Sequence, residues 1–234
     1  MGKDYEIHLD TTVDTDPEHV WDAIATGPGI SSWYIGKTET DNDTVRTAFG
    51  RTAFPTATVT SNDPPHHFAY RTDTTPDGRF QAFDFLIEGN DRSATTLRAV
   101  TSGFLPGDDW ADEYEAMSHG IALFNATLTT YLQHFPGRTA TPVTAFGPPV
   151  TDWPAAWTAL HKTLGLPPQP RPGDHTHDGG EVYHASHHTL GIRTPDALHR
   201  YIRGFRGPMI AAHELFDPTA TTDPGHWAQL LRPA

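Results

Sequence analysis

The chain has 234 residues, with 29 Asp or Glu against 16 Lys or Arg and a formal charge of −13. That length suits one large or two small domains, and the charge opposes a polyanionic partner, because phosphate neutralisation needs clustered basic residues. There is no cysteine, which excludes disulfides, thiolate nucleophiles and zinc sites built on sulfur. No run approaches the roughly 18 apolar residues of a membrane helix, and the first residues lack a basic-then-apolar leader pattern, so a cytoplasmic protein is expected, with no nucleic-acid or membrane partner.

Charge and proline change near residue 139. Residues 1–139 hold 21 acidic and 9 basic residues with 8 prolines, whereas residues 140–234 hold 8 and 7 with 13 prolines. Between them, Pro136-Gly137 through Pro142 to Gly147-Pro148-Pro149 favours extended linker conformations. The expected division is a domain over 1–137, a linker over 138–150 and a smaller α+β appendage over 151–234.

In chain order, Tyr5, Ile7 and Leu9 alternate with polar neighbours up to Val13, the period-two pattern of a strand with one buried face. Asp16-Pro17-Glu18 supplies an N-cap and a proline at the first helical position, and Val20, Trp21 and Ile24 share the helix face that follows. A second helical turn carries Ile30, Trp33 and Tyr34. Short alternating segments at 44–49, 52–60, 66–71, 79–88 and 93–101 predict an antiparallel meander, in which 83–88 and 95–99 form a hairpin with Phe83, Phe85 and Ile87 on one face. Trp110, Tyr114, Met117, Ile121, Phe124, Leu128, Tyr131 and Phe135 then recur at steps of three and four, the buried stripe of one long helix whose first turn holds Asp108, Asp109, Asp112 and Glu113. A curved sheet needs a partner for its apolar face, and this helix is the natural one.

The run Ile7-His8-Leu9-Asp10 to Thr15-Asp16-Pro17-Glu18-His19-Val20-Trp21, with Ile30-Ser31-Ser32-Trp33-Tyr34 after it, resembles the opening of the bacterial relatives of the Hsp90 ATPase activator C-terminal domain. These belong to the START, polyketide cyclase and Bet v 1-like (SRPBCC) superfamily. Further points of resemblance are Asn62-Asp63-Pro64-Pro65-His66-His67-Phe68, the strand ending Ser102-Gly103-Phe104 and the helix closing at Tyr131-Leu132. Ser118-His119-Gly120-Ile121 stands where such proteins often carry a Gly-Trp pair. The resemblance covers about residues 5–135 and implies an α+β helix-grip fold, a curved antiparallel sheet wrapped on a long C-terminal helix, with an internal cavity between them.

In the C-terminal part, Thr151-Asp152-Trp153-Pro154 caps a helix running to Leu164 and stopped by Gly165. Residues 182–185 and 189–193 read as strands and Pro195-Asp196-Ala197-Leu198 as a helical turn. The apolar run 208–216 fits strand or helix, and 227–231 closes as a helix. The stretch over 189–216 resembles tails found on some actinobacterial members of the same superfamily.

Strand parity and helix spacing aim Trp33, Phe68, Tyr70, Phe83, Phe85, Tyr114, Met117 and Ile121 into the gap between sheet and helix, where they are expected to contact a small hydrophobic ligand. Arg71, Asp84, Arg98 and His119 lie off those faces and are expected to face solvent, so no catalytic residue is assigned. His175, His177, His184, His187 and His188 fall within 14 positions, but no His-Glu-x-x-His helix accompanies them and no metal or other cofactor is expected. The leading functional expectation is ligand binding. The alternatives are a polyketide cyclase or dehydratase working on a hydrophobic substrate and a chaperone-interaction module, and a homodimer is compatible with all three.

Overall fold

The computed structural model describes residues 2–231 apart from Arg51, Arg92, Ser93, Asp109 and Arg206. Its first half pairs β1 (Lys3–Val13), β2 (Lys37–Thr40), β3 (Thr44–Phe49), β4 (Thr52–Ala53), β5 (Ala57–Asp63), β6 (His67–Thr72), β7 (Phe80–Asp91) and β8 (Ala94–Leu105) into one antiparallel sheet. The order is β1-β8-β7-β6-β5-β3-β2, with β4 paired to β3 alone. The first and last long strands meet over their full length, from Lys3 opposite Leu105 to Val13 opposite Thr95. Phe83, Phe85 and Ile87 are buried while Asp84 between them is exposed, as alternation requires.

Two short helices, α1 (Pro17–Ala25) and α2 (Gly27–Ile30), follow β1. The Asp16 carboxylate accepts from His19 N at 2.9 Å, and Thr26 Oγ1 accepts from Gly29 N at 3.1 Å, so each helix start satisfies a backbone donor that the helix itself leaves unpaired. The long helix α3 (Trp110–His134) lies in the curve of the sheet. Leu128, Tyr131 and Leu132 join Phe68, Phe83, Phe85, Ile87 and Leu97 in the main core, and Met117, Ile121 and Tyr114 pack with Tyr5 and Leu105 near its start. This is the helix-grip arrangement. Its acidic first turn holds Asp112 and Glu113, whereas Asp109 lies outside the described residues.

A second antiparallel sheet covers the other side of α3. It comprises β9 (Thr141–Pro149), β10 (Glu181–Ala185), β11 (Thr189–Arg193), β12 (Ala197–Arg203) and β13 (Pro208–Leu215), in the order β10-β11-β12-β13-β9. Two expectations fail here. Residues 141–149, read as linker, form the edge strand beside β13, from Thr141 opposite Leu215 to Pro149 opposite Pro208. Proline lacks the N–H of an interior ladder, but an edge strand bonds on one side only and tolerates it. The supposed helical turn at Ala197-Leu198 opens β12, because Leu198, Arg200 and Tyr201 are buried between neighbours on both sides. The run from Pro208 is strand as well.

Helix α4 (Trp153–Leu164) is bounded as its sequence indicates: Asp152 Oδ1 accepts from Ala155 N at 2.9 Å, and Gly165 adopts φ 72°. Its Trp157 and Leu160 pack on Leu190, Ile192, Tyr201 and Ala211 of the second sheet, and α5 (Pro224–Leu230) brings Trp227 to the same layer.

The two sheets are joined by Arg200. Its guanidinium is fully buried, pairs with the buried Glu214 carboxylate, and donates to Trp33 O at 2.6 Å, Tyr34 O at 3.1 Å and Ala212 O at 2.8 Å. Burial pushes the Glu214 carboxyl up to about 8, against the pull of Arg200. Arg200→Ala leaves the buried Glu214 carboxyl and three backbone carbonyls without their donor, and is expected to cost about 3–5 kcal/mol in urea unfolding, with Arg200→Met plus Glu214→Leu recovering part of that loss.

Acid stability follows from the same layer. Burial holds His199 down to about 4 and His213 well below the ordinary histidine range. The unfolded chain takes up these protons first, near pH ~6.5, so the contribution of the two histidines is full above that value and is lost as pH falls toward the folded-state values. Glu214 acts in the opposite sense, since its folded carboxyl holds a proton that the unfolded one releases, but a single group is outweighed by two. The unfolding free energy is therefore expected to fall on acidification from pH 7 to 5, and His199→Asn is expected to flatten that dependence in a pH series of melts.

Candidate functional site

The gap between the first sheet and α3 is filled at one end and open at the other. At the filled end, aromatic rings occupy the space. Tyr70 stacks on Phe83 with centroids 4.9 Å apart, Phe83 lies 6.4 Å from Phe85, Trp33 meets Phe85 edge-on at 6.4 Å, and Phe68 contacts Tyr70 at 5.7 Å. Trp33 also donates its indole N–H to Ala23 O at 2.8 Å. Offset and edge-on pairs of this kind pack efficiently.

At the open end a groove of about 350 Å³ lies between the start of α3 and the ends of β1, β6, β7 and β8. Its apolar wall is Tyr34, Ile35, Phe80, Leu105, Met117, Ile121 and Phe124, and its mouth is polar, with Thr72, Asp73, Arg79, Gln81 and Glu113. Gly120 faces the groove: a Cβ placed there would meet nothing nearer than the Phe124 ring at 4.0 Å. Gly103 makes room on the opposite side, where it pairs with Tyr5 across β1 and β8 and a Cβ would lie 2.5 Å from the Tyr5 hydroxyl.

The eight residues expected to contact a ligand therefore divide. Met117 and Ile121 line the groove. Tyr114 packs beside it against Tyr5 at 6.4 Å and Trp110 at 6.1 Å. Trp33, Phe68, Tyr70, Phe83 and Phe85 belong to the filled core, because their rings meet one another before they meet any cavity. Parity gave the direction of these side chains correctly, but not which end of the gap stays open. Phe124 was in the helical stripe and Tyr34 next to Trp33 in the sequence. Tyr5 carried only a strand signal, and nothing local distinguished Arg79, Gln81 or Glu113.

The polar groups at the mouth are already engaged. Arg79 and Glu113 form a two-point ion pair from the start of β7 to the first turn of α3, with Arg79 Nη2 3.2 Å from Glu113 Oε2. Burial pushes the Tyr5 phenol up to about 12, with Arg79 and a hydrogen bond to Gln81 acting the other way. Burial also raises the Tyr34 phenol, so both tyrosines keep their protons at neutral pH and serve as hydrogen-bond donors. The wall is backed by the second sheet, since Tyr34, Ile35 and Phe124 pack with Ile202, Ile210 and Ala212.

Arg71, Asp84 and Arg98 lie on the outer side of the sheet, where Asp84 meets His67 at 3.1 Å and Arg98 reaches Asp10 and Glu88. His119, expected in solvent, instead faces the second sheet, with its ring 4.4 Å from that of His187. No helix of the described residues is long and apolar enough to cross a membrane.

The sequence matches no protein-family model and no curated protein. Solved structures that are similar include the Aha1 dimer from Colwellia psychrerythraea, at 18% identity and a TM-score of 0.44 over 55% of this chain and 96% of that one. CalU16 from Micromonospora echinospora gives 14% and 0.40 over 54% and 75%. DynU16, a putative protein in the dynemicin biosynthetic locus, gives 15% and 0.44 over 96% and 93%.

Because the Phe83 face is filled core, Phe83→Ala is expected to cost about 3–5 kcal/mol in denaturant unfolding, whereas Met117→Ala on the groove wall is expected to cost far less. Equal costs at the two positions would place Met117 in solid packing and close the groove.

Proposed function

We propose that the protein binds a small, largely apolar molecule in the groove between its first sheet and α3, as a member of the SRPBCC superfamily. The observation that carries this reading is the groove itself: an apolar wall ending in a polar mouth, at the small end of the roughly 300–1,000 Å³ typical of small-molecule sites. The contacts would come from Met117, Ile121, Phe124 and Tyr34, with the Tyr5 hydroxyl available to one polar atom of the guest. The resemblance of residues 5–135 to a superfamily of cavity-bearing proteins points the same way. In this reading residues 1–137 are the binding unit of a cytoplasmic protein and the C-terminal residues back the groove wall.

Binding is favoured over proton-transfer chemistry. Arg79 and Glu113 are committed to each other, and Tyr5 and Tyr34 hold their protons at neutral pH. A cyclase would need a group in the groove that changes protonation near its working pH.

The test uses Gly120, where a side chain would project into the groove without a clash and where replacing glycine also favours the helix by up to about 1 kcal/mol. Wild-type protein is expected to enhance and blue-shift the fluorescence of N-phenyl-1-naphthylamine. Gly120→Leu is expected to abolish that binding while leaving the melting temperature unchanged or higher. Binding that persists in Gly120→Leu, or is absent from the wild type, would remove the groove as the site.

A further inference from the structure

The face of α3 turned away from the groove carries Glu115 and His119, one helical turn apart, and both meet His187 and His188 on the turn between β10 and β11. One potential ligand atom from each of the four lies within 4.8 Å of the other three. The imidazole rings are crowded together, with centroids 4.4 Å apart for His119 and His187, 4.5 Å for His119 and His188, and 4.3 Å for His187 and His188. Glu115 Oε1 is 3.3 Å from His187 Nε2 and 3.9 Å from His188 Nε2.

Hydrogen bonding alone does not account for this cluster. His188 is buried and its Nδ1 has no hydrogen-bond partner, an arrangement that costs free energy in a protein interior. Glu115 and His187 have side chains 54% and 64% exposed, so the cluster opens to solvent on one side and an ion could reach it without disturbing the fold.

We propose that Glu115, His119, His187 and His188 form a site for one divalent transition-metal ion of the zinc class, linking α3 to the second sheet. Three imidazoles and one carboxylate form a donor set suited to Zn²⁺, Co²⁺ or Ni²⁺ and poorly suited to Mg²⁺ or Ca²⁺, which favour oxygen. Tetrahedral bonds of about 2.0–2.1 Å set donors roughly 3.4 Å apart, so the cluster must contract by about an ångström, a movement available to the exposed Glu115 and His187 side chains. The histidine-rich segment 174–188 supplies only two of the four ligands. The carboxylate comes from a residue 72 positions before His187, which is why spacing within that segment gave no metal signature.

Two neighbours shape the site without joining it. His184 Nε2 is bonded to Thr189 Oγ1 at 2.9 Å and so stays off the cluster. Arg203 Nη1 stands 3.2 Å from His188 Nε2, with its guanidinium carbon 5.1 Å from the centre of the Trp153 ring. This cation competes with a metal ion for the same nitrogen and repels it, so Arg203 is expected to weaken affinity and its removal to strengthen it.

The test titrates untagged, chelator-treated, full-length protein with Co²⁺ and then with Zn²⁺. One equivalent of Co²⁺ is expected, with the intense visible bands of four-coordinate cobalt, displaced by Zn²⁺, and Zn²⁺ is expected to raise the melting temperature. His187→Ala, on the exposed turn, and Glu115→Gln are each expected to weaken Co²⁺ binding by at least about 10-fold and to reduce the Zn²⁺-dependent rise in melting temperature. His175→Ala and His226→Ala are expected to bind as the wild type does, and Arg203→Gln more tightly. Absence of stoichiometric uptake by the wild type overturns the proposal. So does uptake that is unchanged in both His187→Ala and Glu115→Gln, provided circular dichroism shows them folded.

Discussion

A buried guanidinium holds this molecule together. Arg200 carries its charge into a region with no solvent access and meets the Glu214 carboxyl there, together with three backbone carbonyls. Pairing a buried charge rarely gains much over an apolar substitute, but breaking such a pair is costly. What the arrangement supplies is position. Two of the carbonyls belong to Trp33 and Tyr34, in the turn after α2, so the second sheet fixes the path of a segment that belongs to the first. The Tyr34 ring on that segment is a wall of the groove. The guanidinium carbon also lies 5.6 Å from the centre of the Phe124 ring, another part of the same wall. The C-terminal residues thus help to shape the groove wall.

Helix α3 serves both layers. Toward the first sheet it presents Met117, Ile121, Leu128, Tyr131 and Leu132. Toward the second it presents Glu115, His119 and Thr127, whose hydroxyl is 2.9 Å from the Tyr183 hydroxyl. Gly191 permits the contact with Tyr183: a Cβ there would lie 2.4 Å from the Tyr183 ring.

The helix-grip core was legible because its signals are local and redundant. The stripe from Trp110 to Phe135 and the alternation at Phe83, Phe85 and Ile87 each report burial through a period that sterics impose. Caps at Asp16 and Asp152 were equally plain, since each is a side chain acting on its own neighbours. The second sheet was harder to read. Strand β9 is rich in proline, a residue whose usual meaning is a break, and its status as an edge depends on β13, whose partner cannot be read from either segment alone. At the candidate site, parity pointed Tyr70 and Phe83 inward but could not tell a filled gap from an open one, because filling is decided by how rings from separate segments meet. The juxtaposition of His119 with His187 is likewise a property of packing between distant segments.

The position of β9 has a consequence for the order in which the chain assembles. It follows α3 directly, yet its ladder partner β13 comes only after α4, β10, β11 and β12 have been made. Until residues 208–215 are present, β9 has no ladder partner, and Pro142, Pro148 and Pro149, each without an N–H, discourage pairing with the wrong strand. The first sheet can close as soon as β8 meets β1, but Ala212 and Glu214, which fix Arg200 against the Tyr34 turn, lie on the last strand. The wall of the groove is therefore complete only once residues 208–215 have been made and β13 takes its place beside β9.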